Sequence, residues 1–553
     1  MTAGVVASVE SLAAAVGAEI LRAGGNATDA AVAAAFAQGV VDPIYCGIAG
    51  GFHGIFYDAR RPLTQVISAG GRAPAAARDD MWRPDGQWGA MWTVEGKRNR
   101  LGYEASMIPG FVRGAHAAFA RFGSGNVTWQ ELLEPAIGLA HDGFEVYPYL
   151  YRLWMPRTDR ILNFLESEEG PTVLGFTKAC AQIYLHEDGS VYRIGERLVQ
   201  TDYARTLERI AENGPDEFYE GETARRMADD FQRNGGLITF EDLAGFQADV
   251  LPPLRSSFRD LTVLTEPAPT VGPVTVEILN IIEGWDLKSL GWNTAPYLDR
   301  LTRAMHVGFR DRLNLLGDPD FVHVGDDQMV SKTYASALRT AIEEEMAFPR
   351  SLDHESAPVK HAGETTHVSV MDAAGNAAAI THSLGMSSGV VHPGLGFQQN
   401  CHMVMFDPMP GRRNSIAPGK RPITGGGPVL FMRDGSPYLV IGSPAGARKV
   451  TAIVQALLNV EDFGMDLQSA VAAERIHTED QPMTVVAEPH FDPRVLVELA
   501  HLGHQISFEL YTARLAGVMR DPINGLLAGG TDPRGDRGIE VVENEEDVRE
   551  HAN

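Results

Sequence analysis

The stretch from Thr365 to Ser383 constrains this chain more than any other. Thr365 to Asp372 alternates in the two-residue period of a half-buried strand. Gly375-Asn376 supplies a turn, and Ala377 to Ser383 reads as a second strand, so the segment predicts a β-hairpin. The sequence changes character where this hairpin begins. Residues 350–364 are polar and weakly patterned, the composition of an exposed linker. Beyond Thr365, short strands with glycine and proline turns are expected at 427–432 and 437–441, then helices at about 448–459 and 466–474.

Before the break the chain reads as mostly helical. Ser11 is positioned to cap a helix from Leu12 to Ala23, stopped by Gly24-Gly25. Asp29 starts a second helix, Ala30 to Gly39, ended by Asp42-Pro43. The run Cys46-Gly47-Ile48-Ala49-Gly50-Gly51-Phe52 leads into a strand at Gly54 to Tyr57. Its glycine spacing fits neither dinucleotide nor P-loop signatures, so close backbone packing is the better reading. Amphipathic helical pieces follow at 135–140, 203–212 and 223–233, then a strand at 261–264 and a helix at 274–282.

Length and charge bound the function classes. A chain of 553 residues buries a large core, and its apolar and charged fractions are those of a soluble globular protein. A formal charge of −25 argues against nucleic acid or an anionic membrane as the partner. No run of about 18 apolar residues indicates a membrane-spanning helix. The first residues carry no basic segment before an apolar one, so no signal peptide is expected. Cys46, Cys180 and Cys401 are too few and too scattered for a disulfide framework or a zinc site. A reducing, cytoplasmic location is therefore expected. His53, His382, His392 and His402 show no ligand spacing, so neither metal nor cofactor is predicted.

Gly442-Ser443-Pro444-Ala445-Gly446-Ala447-Arg448 follows an apolar strand and precedes a helix. Such a small-residue loop lets backbone amides approach a substrate closely. Taken alone, it reads more readily as an ordinary strand-to-helix turn. Wider motifs shift that balance. Residues 20–32 (Ile-Leu-Arg-Ala-Gly-Gly-Asn-Ala-Thr-Asp-Ala-Ala-Val) resemble the N-terminal signature of the gamma-glutamyltranspeptidase family, whose members are N-terminal-nucleophile hydrolases. Asn213-Gly214-Pro215-Asp216-Glu217-Phe218-Tyr219, Asn234-Gly235-Gly236-Leu237-Ile238-Thr239 and Gly317-Asp318-Pro319-Asp320-Phe321 resemble further family stretches. So does Thr365-Thr366-His367 with Asp372 and Gly375-Asn376, followed by Gly442-Ser443-Pro444.

This resemblance implies a proenzyme that cuts itself between Glu364 and Thr365. Residues 1–364 would form the large subunit and 365–553 the small one. It implies an α+β fold, a four-layer αββα sandwich shared by the two autoprocessed segments, which stay associated; further pairing as a dimer of heterodimers is left open by the sequence. Thr365 resembles the family nucleophile. Once N-terminal it carries its own base, because an α-amine with a reference pKa of roughly 7.7–8.0 is partly neutral near pH 7. Thr381 and Ser383 lie on the returning strand, and Ser383 occupies the place of a threonine that hydrogen-bonds the free amine. Ala445 and Gly446 stand where relatives have two oxyanion-hole glycines.

The resemblance weakens at glutamyl recognition. The arginine expected three residues before Ala73-Pro74 is Gly70, with Arg72 shifted by two. The acidic residue expected before Phe406 is Met405. The asparagine expected after Ser383 is Gly385, and the serine pair expected after Arg421-Pro422 is Thr424-Gly425. A methionine cannot pair with an ammonium group. The expected activity is thus hydrolysis of a small-molecule amide through an acyl-enzyme, with an altered and less charged pocket in which His402 and Arg72 are polar contacts. A true gamma-glutamyltransferase or glutathione hydrolase using Arg72, and an unprocessed homologue that binds without catalysis, are the alternatives. His367 invites a base role but reads better as a structural hydrogen-bonder.

Overall fold

The computed structural model describes residues 2–88, 91–154, 173–347, 365–479, 484–510 and 512–543. The polar stretch 350–364, including Glu364, lies outside them. Thirteen strands build two sheets. In chain order they are β1 (Thr2–Ser8), β2 (Gly51–Asp58), β3 (Leu63–Ala69), β4 (Asp249–Leu251), β5 (Leu254–Phe258), β6 (Leu261–Thr265), β7 (Thr366–Asp372), β8 (Ala377–Ser383), β9 (Val429–Arg433), β10 (Ser436–Gly442), β11 (Ala516–Arg520), β12 (Leu527–Thr531) and β13 (Gly538–Glu543). One sheet runs β13-β1-β7-β8-β2-β3-β4 and the other β12-β11-β10-β9-β6-β5. The expected hairpin is β7–β8, with Val368 opposite Ile380 and Val370 opposite Ala378.

Side-chain alternation explains how the sheets are used. On the first sheet Phe52, Phe56, Val368, Val370 and Ile380 join one apolar cluster with helices α1 (Ser11–Arg22) and α2 (Ala27–Val41). The opposite face, with Val5, Ile55, Met371 and Ala379, meets Leu264, Leu430 and Val440 of the second sheet. The far face of the second sheet, with Val263, Phe431 and Leu439, packs on α3 (Gly272–Ile282), α4 (Ala295–Leu315) and α5 (Arg448–Glu461).

Two helix starts differ from the sequence-based expectation. Ser11 does not cap α1: its N–H and hydroxyl both donate to Asp536 at 2.7 Å, and Glu10 holds the cap position while its carboxylate turns inward. Helix α2 begins three residues before Ala30. Asn26 accepts from the N–H groups of Thr28 and Asp29, and Asp29 accepts from the Asn26 N–H in return. All of α2 is buried. Its alanines permit this, because a helix covered on every side needs small side chains against its neighbours. The glycine-rich run 46–52 is indeed a tight packing site: a Cβ on Gly50 would lie 2.1 Å from the Ser383 carbonyl oxygen.

Candidate active site

The strand register arranges the candidate residues in rows on the face between the sheets. Thr366 pairs with His382, so continuing the register sets half-buried Thr365 opposite Ser383. Ser383 pairs with Gly51, and Gly51 continues to Gly70 beyond β3. The outer row is therefore threonine, serine, glycine, glycine. The next row inward is His367, Thr381, His53 and Ser68. Residues paired across antiparallel strands point to the same face, so both rows look toward the second sheet.

Thr365 is aimed by its neighbour. Thr366 points to the other face and donates to Glu10 Oε2 at 2.7 Å. Gln38 Nε2 donates to the same oxygen at 2.8 Å and to the His367 carbonyl at 3.0 Å. Burial raises the Glu10 carboxyl pKa, while Arg514 and the Thr366 and Gln38 hydrogen bonds oppose that rise. The Thr365 end of β7 is thereby fixed from beneath by groups that sequence reading did not single out.

His367 is a structural hydrogen-bonder. Its Nε2 lies 2.8 Å from Ser369 Oγ, whose hydroxyl donates on to the Ala516 carbonyl, and its Nδ1 lies 2.8 Å from Thr381 Oγ1. This chain requires the Nε2–H tautomer, with Thr381 donating to Nδ1. Burial, then Lys449 and His382, pushes the imidazole pKa well below its usual value. The Thr381 hydroxyl is thus committed one row away from Thr365. Ser383 stays on the outer row, its Oγ accepting from the Gly385 N–H at 2.8 Å.

The glycine loop closes over the same end of the sheet. Gly442 sits against His367 so tightly that a Cβ there would lie 2.2 Å from Cε1. Ser443 Oγ donates to the Arg514 carbonyl at 2.7 Å and anchors the loop. Ala445 has φ +89° and Gly446 has φ +54°. Both residues lie at positive φ, a region that glycine adopts without a Cβ penalty, so the backbone turns sharply here. A Cβ on Gly425 would lie 2.9 Å from the Gly446 backbone, so the Thr424-Gly425 turn packs onto this loop.

The other predicted pocket residues divide into two groups. Gly385, with φ +76°, lies against Cys401 and His402. His402 is buried, bonded to the backbone of Gly70, and pushed down to about 3 by burial and then by His53. Met405 is half-buried beside Cys401 and Val404. Arg72 is engaged in an ion-pair network. Its Nη2 binds Asp249 at 3.0 Å, an aspartate that Arg421 also engages at 2.9 Å, and its Nη1 donates to the Gly419 carbonyl.

A buried cluster of ionisable side chains was not read from the sequence as part of the site. His53 Nδ1 sits 2.9 and 3.0 Å from the two oxygens of Glu266. Burial pushes Lys449, in the first turn of α5, down to about 7 against the attraction of Glu266. These residues are far apart in sequence and share no motif. The only local signal was a histidine set in a strand among glycines. No group of three or more metal-ligating side chains occurs among the described residues.

A threonine at the end of a buried strand, beside a glycine loop on a two-sheet α+β scaffold, is an arrangement compatible with an amide-bond hydrolase of the N-terminal-nucleophile type. Comparison with known proteins agrees. The Gamma-glutamyltranspeptidase family model matches residues 13–542. Glutathione hydrolase proenzyme of Escherichia coli (strain K12) is 34% identical over 96% of this chain and 90% of its own length. Acylase ACY 1 proenzyme of Pseudomonas sp. (strain SE83) is 35% identical over 93% and 89%. The crystal structure of cephalosporin acylase from Bacillus halodurans superposes with a TM-score of 0.86 at 27% identity, covering 98% of this chain and 96% of that one. The chain belongs to the gamma-glutamyltranspeptidase family and is an enzyme.

Proposed function

We propose that this chain is a proenzyme that cleaves itself between Glu364 and Thr365 and then hydrolyses a small-molecule amide through an acyl-enzyme on Thr365. The observation that carries this reading is the placement of Thr365 at the open end of buried β7, with the Ala445-Gly446 loop packed against that end through Gly442 and His367. In the precursor the Thr365 hydroxyl attacks the Glu364 carbonyl, and water hydrolyses the resulting ester. The freed α-amine then takes the hydroxyl proton during attack on substrate and returns it to the leaving amine. Ser383 hydrogen-bonds that amine. The N–H groups of Ala445 and Gly446 stabilise the oxyanion.

The helix–sheet–sheet–helix layering fits an αββα sandwich shared by residues 1–364 and 365–553. Relatives named proenzymes support the same division. An acylase is favoured over a γ-glutamyl enzyme because Gly70 and Met405 lack the charged groups of glutamyl recognition and Arg72 is engaged by Asp249. Intact mass spectrometry of the purified chain beside Thr365→Ala tests the nucleophile. Two fragments with a new N-terminus at Thr365, absent from the variant, are expected; a single uncut chain in both sinks the proposal. Turnover of a γ-glutamyl anilide at rates matching other acyl anilides would restore the γ-glutamyl reading.

A further inference from the structure

A buried charged cluster outside the candidate site holds the segment that leads into β11. Arg475, Glu488 and Asp532 are all buried. Arg475 Nη2 donates to Asp532 Oδ2 at 2.6 Å and to the Ala513 carbonyl at 2.9 Å. Thr512 donates to Glu488 Oε1 through its N–H at 2.7 Å and its hydroxyl at 3.1 Å, and the Leu515 N–H donates to Asp532 Oδ2 at 3.3 Å. A buried polar network with its groups paired rigidifies what it touches, so residues 512–515 form a stiff bracket. Gly442 pairs with Ala516, which lays this bracket beside Ser443-Pro444. Arg514 reaches both halves of the candidate site from there. Its carbonyl accepts from Ser443 Oγ, at the root of the Ala445-Gly446 loop, at 2.7 Å. Its guanidinium lies 4.1 Å from the centre of the Tyr149 ring, and its Nη1 is 3.8 Å from Glu10 Oε1. The other Glu10 oxygen accepts from Thr366, next to Thr365, at 2.7 Å.

Resting on the reading of Thr365 as nucleophile and of Ala445-Gly446 as its oxyanion loop, we propose that Arg514 is a positioning residue that sets the distance between them. The two halves belong to different sheets: Thr365 precedes β7 of the first, and the loop follows β10 of the second. Strand pairing works within a sheet and leaves the gap between sheets unset. Apolar packing fills that gap without direction. A residue tied by its carbonyl to the loop and by its charge to the support of the strand end fixes it with direction. The demand is strict, because a misplacement of about 1 Å costs about a hundredfold in rate. The Glu10–Arg514 pair is buried on both sides, where losing one partner strands the other charge. Glu10 lies in residues 1–364 and Arg514 in residues 365–553, so the tie also spans the proposed cut. Arg514 acts through Glu10 and Ser443.

The test follows self-cleavage by intact mass and hydrolysis of 4-nitrophenyl acetate, a small activated ester, by the processed full chain, with Thr365→Ala as background. Glu10→Gln keeps an acceptor for Thr366 and removes the charge facing Arg514; Ser443→Ala removes the tie to the loop. Their double variant, Arg514→Met and Arg514→Lys complete the set, with gel filtration and thermal melts reporting folding. Each end variant is expected to lower kcat by about fivefold or more while KM changes by less than about twofold. The double variant is expected to be no slower than the slower single one, because either change already releases the tie. Arg514→Met is expected to lower kcat by about tenfold or more, and Arg514→Lys to recover part of it. Should Arg514→Met fail to fold, the Glu10 and Ser443 cycle decides alone. Losses that multiply in the double variant, or a lower Tm with kcat unchanged, overturn the positioning role and leave Thr365 in place. Cleavage and hydrolysis at wild-type rates in Thr365→Ala overturn the nucleophile and the positioning role together.

Discussion

At the scale of single residues, two side chains carry a cost that the fold accepts at the candidate site. Ala445 holds φ +89°, a region that favours glycine, while being 2% exposed. Such a residue stores about 1–3 kcal/mol of strain, partly offset because alanine restricts the unfolded chain. Ala445→Gly is therefore expected to raise stability by about 1 kcal/mol, read as a higher urea midpoint, with self-cleavage retained. An unchanged or lower midpoint would show that the loop is relaxed. Lys449 is the second case. Its folded value of about 7 lies below an unfolded value near 10.4. Between those limits the unfolded chain holds a proton that the folded chain has shed, so stability rises as pH climbs from about 7 to about 10.4. Below that window the penalty of a buried charge is present in full. Lys449→Met is expected to raise Tm by several degrees at pH 6 and to flatten the rise above pH 7, measured by thermal melts across pH.

At the scale of elements, the β7–β8 hairpin is tied to α2 and to the glycine loop. Asp372 at the hairpin turn accepts from the Ala27 N–H at 2.9 Å, the Asn376 N–H at 3.0 Å and Asn376 Nδ2 at 2.8 Å. The first of these places a carboxylate at the N-terminus of α2, where the helix dipole favours it. Asp372→Ala should cost about 2–3 kcal/mol, seen as a lower denaturant midpoint, because it leaves buried donors unpaired. At the other end of β7, Gly442→Ala would drive a methyl group into His367. Overpacking costs about 1–3 kcal/mol and moves whichever element yields. Because Gly442 leads into the Ala445-Gly446 loop, slowed self-cleavage is expected along with lower stability. Normal cleavage kinetics in that variant would show the loop to be independent of His367.

At the scale of the whole molecule, the two chain segments are interleaved within each sheet. Strands β7 and β8, from the second segment, lie between β1 and β2 from the first, and β13 returns to the outer side of β1. Strand β6 of the first segment pairs with β9 of the second. A cut before Thr365 therefore crosses no core boundary. Processed protein is expected to elute from gel filtration as one species, with the fragments separating only in denaturant. Separation under native conditions would contradict this topology.

The sequence by itself determined the hairpin, the strand-to-helix loop, the alanine-rich helices and the family, because each is written in local periodicity, turn chemistry or an ordered motif. It also marked Thr365, Ser383, Ala445 and Gly446, which the fold brings to one end of the space between the sheets. The start of α1 was misplaced because a distant group, Asp536, competes for Ser11, whereas that of α2 is set by the local capping pair Asn26 and Asp29. The pocket's charge was beyond local reading. Gly70 looked like a lost arginine, and only the register that sets β2 beside β3, with Gly426 on the opposite side, shows His53 in that space. Tertiary structure decided this because burial and pairing depend on which side chains meet, and His53 and Glu266 meet only when the two sheets are stacked.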